Sequence, residues 1–156
     1  MVVHPERVIR DWISAGASRI VVHLETLENP TQFFADFRRQ FPKNRGSLLS
    51  VELGVALCLG TPVDVVAPFL TEVDFVQLMS IAKIGGHGQP FDEKTFNRLD
   101  ILRTEYSGTI VSVDGGVTCD IALELMRLGV NRLVVGSAIF GVDNPKEAIE
   151  SFQSLS

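Results

Sequence analysis

The chain has 156 residues, of which 46% are hydrophobic and 21% charged, so its composition predicts a folded domain with a core rather than a disordered segment. The net charge of −5 argues against a nucleic-acid-binding protein, because contacts with a phosphate backbone need a basic surface. No apolar run approaches the roughly 20 residues of a membrane span, and the first residues lack the pattern of a signal peptide. We therefore expect a cytoplasmic protein that binds neither nucleic acid nor membrane.

Short runs rich in Val, Ile and Leu alternate with amphipathic segments along the chain, and they predict five strands between helices. The predicted helices cover residues 5–15, 31–40, 62–70, 93–105, 118–128 and 145–152. The predicted strands cover residues 20–24, 53–59, 75–80, 109–113 and 132–135. Thr118 and Gly129 stand where the N-cap and the C-terminal cap of one helix are expected. Residues 41–50 are predicted to form an irregular surface connection.

The strict alternation of strand and helix predicts parallel strands joined by right-handed crossovers. A doubly wound dinucleotide-binding sheet would carry G-x-G-x-x-G after its first strand, and that motif does not follow the first predicted strand. The glycines instead follow the late strands, as they do at the C-terminal face of a barrel. The sequence therefore predicts one α/β domain over residues 1–156, an incomplete (β/α) TIM-type barrel with five to six of the eight β/α units.

Glycines follow three successive predicted strands. The first group is Gly85, Gly86 and Gly88, and the later groups are Gly115, Gly116 and Gly136, the last of which precedes Ser137. Because glycine has no Cβ, its backbone N–H groups can approach an anion closely, and a short helix starting at Ser137 would direct further N–H groups at a phosphate. Turns also favour glycine, but the recurrence at consecutive strand ends favours a phosphate site.

Asp114 is the carboxylate that the pattern singles out, because it ends a predicted strand beside two glycines, where a barrel places its chemistry. The alternative is a turn or capping aspartate, although Thr118 is better placed to cap the next helix. Two further residues with metal chemistry, Cys58 and Cys119, have no CxxC partner. They are predicted to be free thiols rather than part of a zinc or redox site.

Four segments of the sequence closely resemble ribulose-phosphate 3-epimerases. They read AGASRIVVHLE, GVALCLGTPVDVVAPFL, VDFVQLMSIAKIGGHGQPF and VSVDGGVTCDIALELMRLGVNRLVVGSAIFG, and the resemblance covers essentially all 156 residues. The ordered pair VDGGV and VVGSAIF at this spacing is the most specific part of the match. The first segment resembles the fourth strand of that family's barrel. Alternation along this predicted strand puts His23 and Glu25 on one face, so both could point at the site, but the default interpretation of His23 is a core histidine whose hydrogen bonds are satisfied.

The resemblance implies epimerisation at C3 of a ketopentose 5-phosphate. In that family two aspartates act on opposite faces of the sugar, and a divalent metal, zinc or iron, polarises the adjacent carbonyl group. By position, Asp114 resembles the family's late-strand aspartate, which is both acid/base and metal ligand. The resemblance places the sugar phosphate against Met79 and the phosphate-binding positions Gly85, Gly86, Gly88, Gly115, Gly116, Gly136 and Ser137.

The sequence also departs from the family's pattern. The family's P-G-F-G-G-Q loop is replaced by residues 84–89, I-G-G-H-G-Q, and Cys58 stands where the family commonly has Asn. The match begins inside the family's third strand, so the other aspartate and three of four protein metal ligands would lie upstream. We therefore expect impaired epimerase activity from the chain alone. The sequence is expected to be a fragment of a longer gene product, a degenerate protein that closes its sheet as a homo-oligomer, or a protein that keeps only phosphate-ligand binding. A non-catalytic phosphosugar-binding domain and an epimerase of a hexulose 6-phosphate remain alternatives.

Overall fold

The computed structural model describes residues 2–43 and 51–155. Five strands form its sheet: β1 (Arg19–His23), β2 (Glu52–Leu57), β3 (Phe75–Met79), β4 (Val111–Asp114) and β5 (Arg132–Val134). The helices are α1 (Ile9–Ser14), α2 (Pro30–Gln40), α3 (Lys94–Glu105), α4 (Cys119–Arg127), α5 (Ser137–Phe140) and α6 (Pro145–Gln153). Three short 3-10 segments complete the elements, at Pro5–Arg7, Leu24–Thr26 and Val63–Phe69.

The strands lie in the sheet in the same order as in the chain, β1 to β5, and every neighbouring pair is parallel. A doubly wound sheet reverses its strand order at one point, whereas a barrel adds each strand beside the previous one. The unbroken order confirms the predicted incomplete barrel with five strands. Within the described residues, β1 and β5 form the two edges of the sheet.

The two faces of the sheet differ in chemistry because side chains alternate along each strand. One face packs against the helices and is apolar, with Leu53, Val55, Leu57, Val76, Leu78, Val111 and Val113 all fully buried in the main hydrophobic cluster. The helices contribute Phe34, Leu99, Leu102 and Leu125 to the same cluster. The opposite, inner face carries polar residues at the alternate positions: Arg19, His23, Glu52, Gln77, Ser112, Asp114 and Arg132.

A charged bridge spans the inner face near the N-terminal ends of the strands. Glu52 on β2 accepts hydrogen bonds from Arg19 on β1 and from Arg132 on β5. The guanidinium carbon of Arg132 lies 4.7 Å from the ring centroid of Phe75, which stands between them on β3. Gly54 makes room for this ring, since a Cβ there would overlap it. The bridge therefore joins both edge strands to β2 across a curved sheet.

Three local expectations differ from the structure. The predicted helix over residues 62–70 is a 3-10 segment, Val63–Phe69, because Pro68 lacks the N–H that an α-helix needs there. The predicted helix over residues 5–15 divides into the 3-10 turn Pro5–Arg7 and α1. The predicted strands ending at residues 24 and 59 end at His23 and Leu57.

Other local expectations are confirmed or lie outside the description. The Thr118 side chain accepts from the backbone N–H of Ile121 at the start of α4, and Gly129 follows that helix with a φ of +83°. The connection predicted over residues 41–50 falls mostly outside the described residues. Among the helices of the described parts of the chain, none has the length and apolar character needed to cross a membrane.

Candidate functional site

Asp114 is the last residue of β4, and its side chain lies on the inner face at the C-terminal edge of the sheet. Its Oδ2 accepts a hydrogen bond of 3.0 Å from Nε2 of Gln77 on β3. Met79, which is buried, pairs with Asp114 in the strand register. Burial raises the pKa of the Asp114 carboxyl group, and the charge of His23 from across the face opposes that rise. The predicted catalytic carboxylate thus lies beside Met79, away from the helices.

Ser80 fixes the backbone at the exit of β4. It is fully buried, its N–H donates to the carbonyl of Asp114 at 2.9 Å, and its Oγ lies 3.0 Å from that carbonyl and 2.5 Å from the carbonyl of Gly115. Since one hydroxyl proton serves both carbonyls, Ser80 restrains the turn through a shared contact. Sequence reasoning missed this residue, because a serine one position after a strand carries no distinctive signal.

Gly115 and Gly116 have φ values of +120° and +64° and pack closely against the loop that follows β3. A Cβ on Gly115 would lie 2.7 Å from Cγ2 of Ile81, and one on Gly116 would lie 2.7 Å from Cα of Phe91. Glycine is therefore needed at both positions, because each has a positive φ and because a Cβ would overlap atoms of the neighbouring loop. They bring the loops after β3 and β4 into contact at one end of the sheet.

The predicted phosphate-binding positions of the two last strands lie at the same end. Asp114 pairs with Val134 in the register, so Gly116 and Gly136, each two residues further on, follow their strands at the same level. Gly136 and Ser137 are exposed, and a Cβ on Gly136 would meet nothing within 4 Å. Ser137 begins the short helix α5, as predicted.

Gly85, Gly86 and Gly88 occupy an exposed loop between β3 and α3. The side chain of Gln89 closes this loop: its Oε1 accepts from the N–H of Lys83 at 3.0 Å, and its Nε2 donates to the carbonyl of Gly86 at 3.2 Å. His87 in the same loop is exposed. The loop thus has a defined shape, which its own glutamine maintains.

A second polar cluster lies at the ends of β1 and β2, where His23, Glu25 and Cys58 meet. The register pairs His23 with Ala56, which brings Glu25 level with Cys58 two residues later. Nδ1 of His23 lies 3.7 Å from Sγ of Cys58 and 3.6 Å from Oε2 of Glu25. One ligand atom from each residue lies within 4.8 Å of the others, so the group could hold a metal ion. The absence of a CxxC motif did not exclude such a site.

The environment keeps Glu25 ionised. Burial would raise the pKa of Glu25, but the approach of His23 and hydrogen bonds from the hydroxyl of Thr61 and the N–H of Cys58 lower it to about 2. For the thiol of Cys58, burial and the nearby charge of Glu25 both raise the pKa. The carboxyl group of Glu25 and the thiol of Cys58 therefore have shifted pKa values of opposite direction, although both groups lie close to His23.

Arg98 on α3 holds the ends of β2 and β3 together. Its guanidinium donates to the carbonyls of Met79 at 3.1 Å, Cys58 at 2.9 Å and Thr61 at 3.1 Å. This guanidinium is buried. Burial lowers the pKa of Arg98, and the negative charge of nearby Glu25 opposes that shift. Sequence reasoning missed Arg98. The signal that could have indicated it is a charged residue on the buried face of the predicted helix over residues 93–105.

Comparison with known proteins gives the same family at the level of sequence. The family model described as "Ribulose-phosphate 3 epimerase family" matches residues 1–140. A ribulose-phosphate 3-epimerase of Schizosaccharomyces pombe is 30% identical over 99% of this chain and 63% of its own length. The chloroplastic ribulose-5-phosphate-3-epimerase of Arabidopsis thaliana is 34% identical over 99% of this chain and 53% of its own length. This chain thus spans between about half and two thirds of these relatives.

Solved structures support the fold alone, because their sequence identities are low. A 3-hexulose-6-phosphate synthase superposes with a TM-score of 0.72 at 18% identity, over 97% of this chain and 68% of the other. The tryptophan synthase α-subunit of Pyrococcus furiosus superposes with a TM-score of 0.58 at 18% identity, over 97% of this chain and 60% of the other. The chain is similar to these proteins in the path of its strands and helices.

Proposed function

Since the chain belongs to the ribulose-phosphate 3-epimerase family, we propose that its site takes part in the epimerisation of a ketopentose 5-phosphate at C3. The substrate is a sugar phosphate, and the reaction is an isomerisation by proton transfer. Asp114 is the residue of this chain that exchanges the C3 proton. Its place at the strand end, on the inner face beside Met79, is the observation that carries the proposal.

The two carboxylates at this edge of the sheet are suited to different tasks. Burial raises the pKa of Asp114, which makes its carboxylate a better proton acceptor and brings its proton exchange closer to neutral pH. The pKa of Glu25 is about 2, so Glu25 stays ionised and is a poor base. Carboxylates with pKa values displaced in opposite directions take different roles in an active site. Together with its place at the strand end beside Met79, this difference supports Asp114 as the group that transfers the proton.

The glycine loops would hold the phosphate group of the substrate. Gly115, Gly116, Gly136 and Ser137 follow adjacent strands at one edge, and their backbone can approach an anion without interference from a Cβ at Gly136. The loop of Gly85, Gly86 and Gly88 would close over the sugar from the neighbouring strand. Asp114 directly precedes Gly115 and Gly116. A phosphate group bound by these two glycines would therefore place the sugar carbons of the substrate near Asp114.

The family's divalent metal, with zinc or iron as the expected ions, is part of this proposal, and Asp114 is the ligand that this chain would contribute. Around Asp114 the described residues do not fit that centre by themselves. Its nearest polar partner is the amide of Gln77, and the group of His23, Glu25 and Cys58 does not include it. A catalytic zinc takes about three protein ligands. No step is therefore assigned to that metal in this chain.

Acid/base chemistry from the opposite face of the sugar is the second requirement of the reaction. The resemblance assigns it to another aspartate, which strands outside these residues would supply. The inner face of the described sheet is lined by polar residues, and within the described part of the chain the outer edges of β1 and β5 pair with no further strand. Unpaired edges of this kind are usually covered. We propose that further strands, from more of the protein or from a homo-oligomer, complete the site.

Proton exchange at C3 tests the proposal. We would incubate ribulose 5-phosphate in deuterated water, with zinc or iron, with this chain alone and with the chain joined to the preceding strands of the Schizosaccharomyces pombe relative. The joined protein should exchange the C3 proton, and its Asp114→Asn variant should not. Asp100→Asn, on the exposed face of α3, is the matched control and should keep the activity. Exchange that persists in the Asp114→Asn variant, or no exchange in the joined protein, would reject the assignment.

A second candidate is a non-catalytic phosphosugar-binding domain. It is favoured because Asp114 is the one residue of this chain that matches a catalytic aspartate of the family. Titration of the chain with inorganic phosphate and with ribulose 5-phosphate, without metal, separates the two functions. Binding together with no proton exchange from either protein would support the second candidate.

The metabolic process and the cellular location are part of the same proposal. Carbohydrate metabolism of the pentose phosphate type and a cytoplasmic location are what we propose for this chain. One relative is named as chloroplastic, so the location of family members differs between proteins. Fractionation of the source cells would decide the location.

A further inference from the structure

We propose that His23, Glu25 and Cys58 form a binding site for a thiophilic divalent cation such as zinc, separate from the ligand set that the family resemblance assigns to Asp114. The three residues follow neighbouring strands at the C-terminal edge of the sheet. They offer an imidazole nitrogen, a carboxylate oxygen and a thiolate sulfur, which are the ligand types that zinc binds. Neither Glu25 nor Cys58 is used by the reaction proposed above.

The two distances from Nδ1 of His23 are close to those between two ligands of a tetrahedral ion, and Sγ of Cys58 lies within 4.8 Å of a Glu25 carboxylate oxygen. With Zn–N of about 2.05 Å, Zn–S of about 2.3 Å and a tetrahedral angle, the nitrogen and sulfur lie about 3.6 Å apart. Nδ1 of His23 and Sγ of Cys58 are 3.7 Å apart. For nitrogen and oxygen the same geometry gives about 3.4 Å, and Nδ1 of His23 and Oε2 of Glu25 are 3.6 Å apart. This second distance is too long for an ordinary hydrogen bond but close to that between two ligands of one ion.

The ligands are held in place by groups other than the ion. Oε1 of Glu25 accepts from the backbone N–H of Cys58 at 2.8 Å and from the hydroxyl of Thr61, which leaves Oε2 toward His23. Arg98 donates to the carbonyl of Cys58 from the other side. Such outer contacts orient metal ligands and raise affinity. Less conformational entropy is therefore lost on binding than at a site of three mobile side chains.

Partial burial distinguishes this group from the other candidate in the described residues, which consists of His4, Glu6 and Glu28. The side chains of His23 and Glu25 are 14% and 30% exposed, whereas those of His4 and Glu28 are 37% and 67% exposed. The His4 group also lacks sulfur. Three protein ligands leave a fourth position for water or a substrate oxygen, as in catalytic rather than structural zinc sites. On binding, Cys58 loses its proton to solvent and the thiolate sulfur joins the ion.

Cobalt titration of the metal-free full chain tests the proposal directly, because a cobalt–thiolate bond gives a sulfur-to-metal charge-transfer band. We expect one equivalent of Co²⁺ to produce the band and one equivalent of Zn²⁺ to remove it. Cys58→Ser should abolish the band, and His23→Gln should weaken zinc binding at least about tenfold. Two matched controls, Cys119→Ser and His4→Gln, should keep the band and bind zinc within about twofold of the unchanged chain.

Alkylation supplies a measurement that needs no variant. Cys58 and Cys119 are both free and partly exposed, so both should react with iodoacetamide in the metal-free chain. Zinc should protect Cys58 at least about tenfold, as coordination masks the thiolate, and should leave the labelling of Cys119 unchanged. A charge-transfer band that survives in Cys58→Ser, equal labelling of Cys58 with and without zinc, or stoichiometric binding lost in His4→Gln would each overturn the proposal.

Discussion

Removing the charge of Glu52 should destabilise the contacts of both edge strands, because this carboxylate accepts hydrogen bonds from Arg19 on β1 and from Arg132 on β5. The Arg132 contact is the better shielded one, with side chains 28% and 25% exposed, while Arg19 is 54% exposed. We assign about 1.5 kcal/mol to the Arg132 contact and below about 1 kcal/mol to the exposed Arg19 contact. Glu52→Gln should therefore lower the free energy of unfolding by about 2 kcal/mol at pH 7.

Urea unfolding as a function of pH measures this effect. With a slope of about 2 kcal/mol per molar urea, a loss of about 2 kcal/mol moves the midpoint down by about 1 M. Burial would raise the pKa of Glu52, but the hydrogen bonds and charges of Arg132 and Arg19 lower it below the usual value. A carboxylate with a lowered folded pKa stabilises the protein above its unfolded pKa of about 4.3. That stabilisation is lost as the pH falls below this value, through the lowered pKa of the folded state.

The difference between the unchanged chain and Glu52→Gln should accordingly be larger at pH 7 than at pH 3. Glu105→Gln, at the exposed end of α3, is the control and should stay within about 0.5 kcal/mol at both values. An equal midpoint shift at pH 7 and pH 3 would refute the reasoning, since it would show that packing rather than charge is lost.

Further predictions follow from packing and from the glycine turns. Gly116→Ala should destabilise the chain by about 2 kcal/mol, measured by urea unfolding, because φ is +64° and the added Cβ would meet the backbone of Phe91. Leu99→Ala should cost about 2–5 kcal/mol in the same assay, because this side chain is fully buried in the core. Gly136→Val should weaken phosphate binding in calorimetry without lowering the thermal midpoint by more than a few degrees. Its control Gly60→Val, also in open space, should change neither.

The strands were largely predictable, because a buried parallel strand is a short apolar run that can be recognised without knowing which residues it contacts in the fold. All five predicted strands exist, and their alternation with helices predicted that they are parallel. The order of the sheet was predicted from the glycines after the late strands, which favoured a barrel over a doubly wound sheet. The segment Val63–Phe69 was predicted as a longer helix because its apolar residues have helical spacing, but Pro68 limits it to 3-10 turns. Backbone chemistry at one residue prevailed there over the hydrophobic pattern.

The candidate site was only partly predictable. Asp114 could be found from its place at a strand end beside glycines, which is local information. The meeting of His23 and Glu25 with Cys58 depends on the register between β1 and β2, which pairs His23 with Ala56. Register is a tertiary property, so a search for closely spaced cysteines could not find this group. Ser80 and Arg98 act on backbone carbonyls of other segments, and no pattern in the sequence marks those acceptors.

The agreement between strand order and chain order has a consequence for how the molecule assembles. Each strand rests beside the one synthesised just before it, so ordering the sheet closes only the loop of one strand–helix unit at a time. Pairing of consecutive strands keeps the loss of loop-closure entropy low at each step. The contact of Glu52 on β2 with Arg132 on β5 is different, because it forms only once the last strand is in place. The carboxyl-terminal edge that carries Asp114 therefore depends on pairs of strands that are consecutive in the chain, whereas the opposite edge also depends on a contact that crosses β3 and β4.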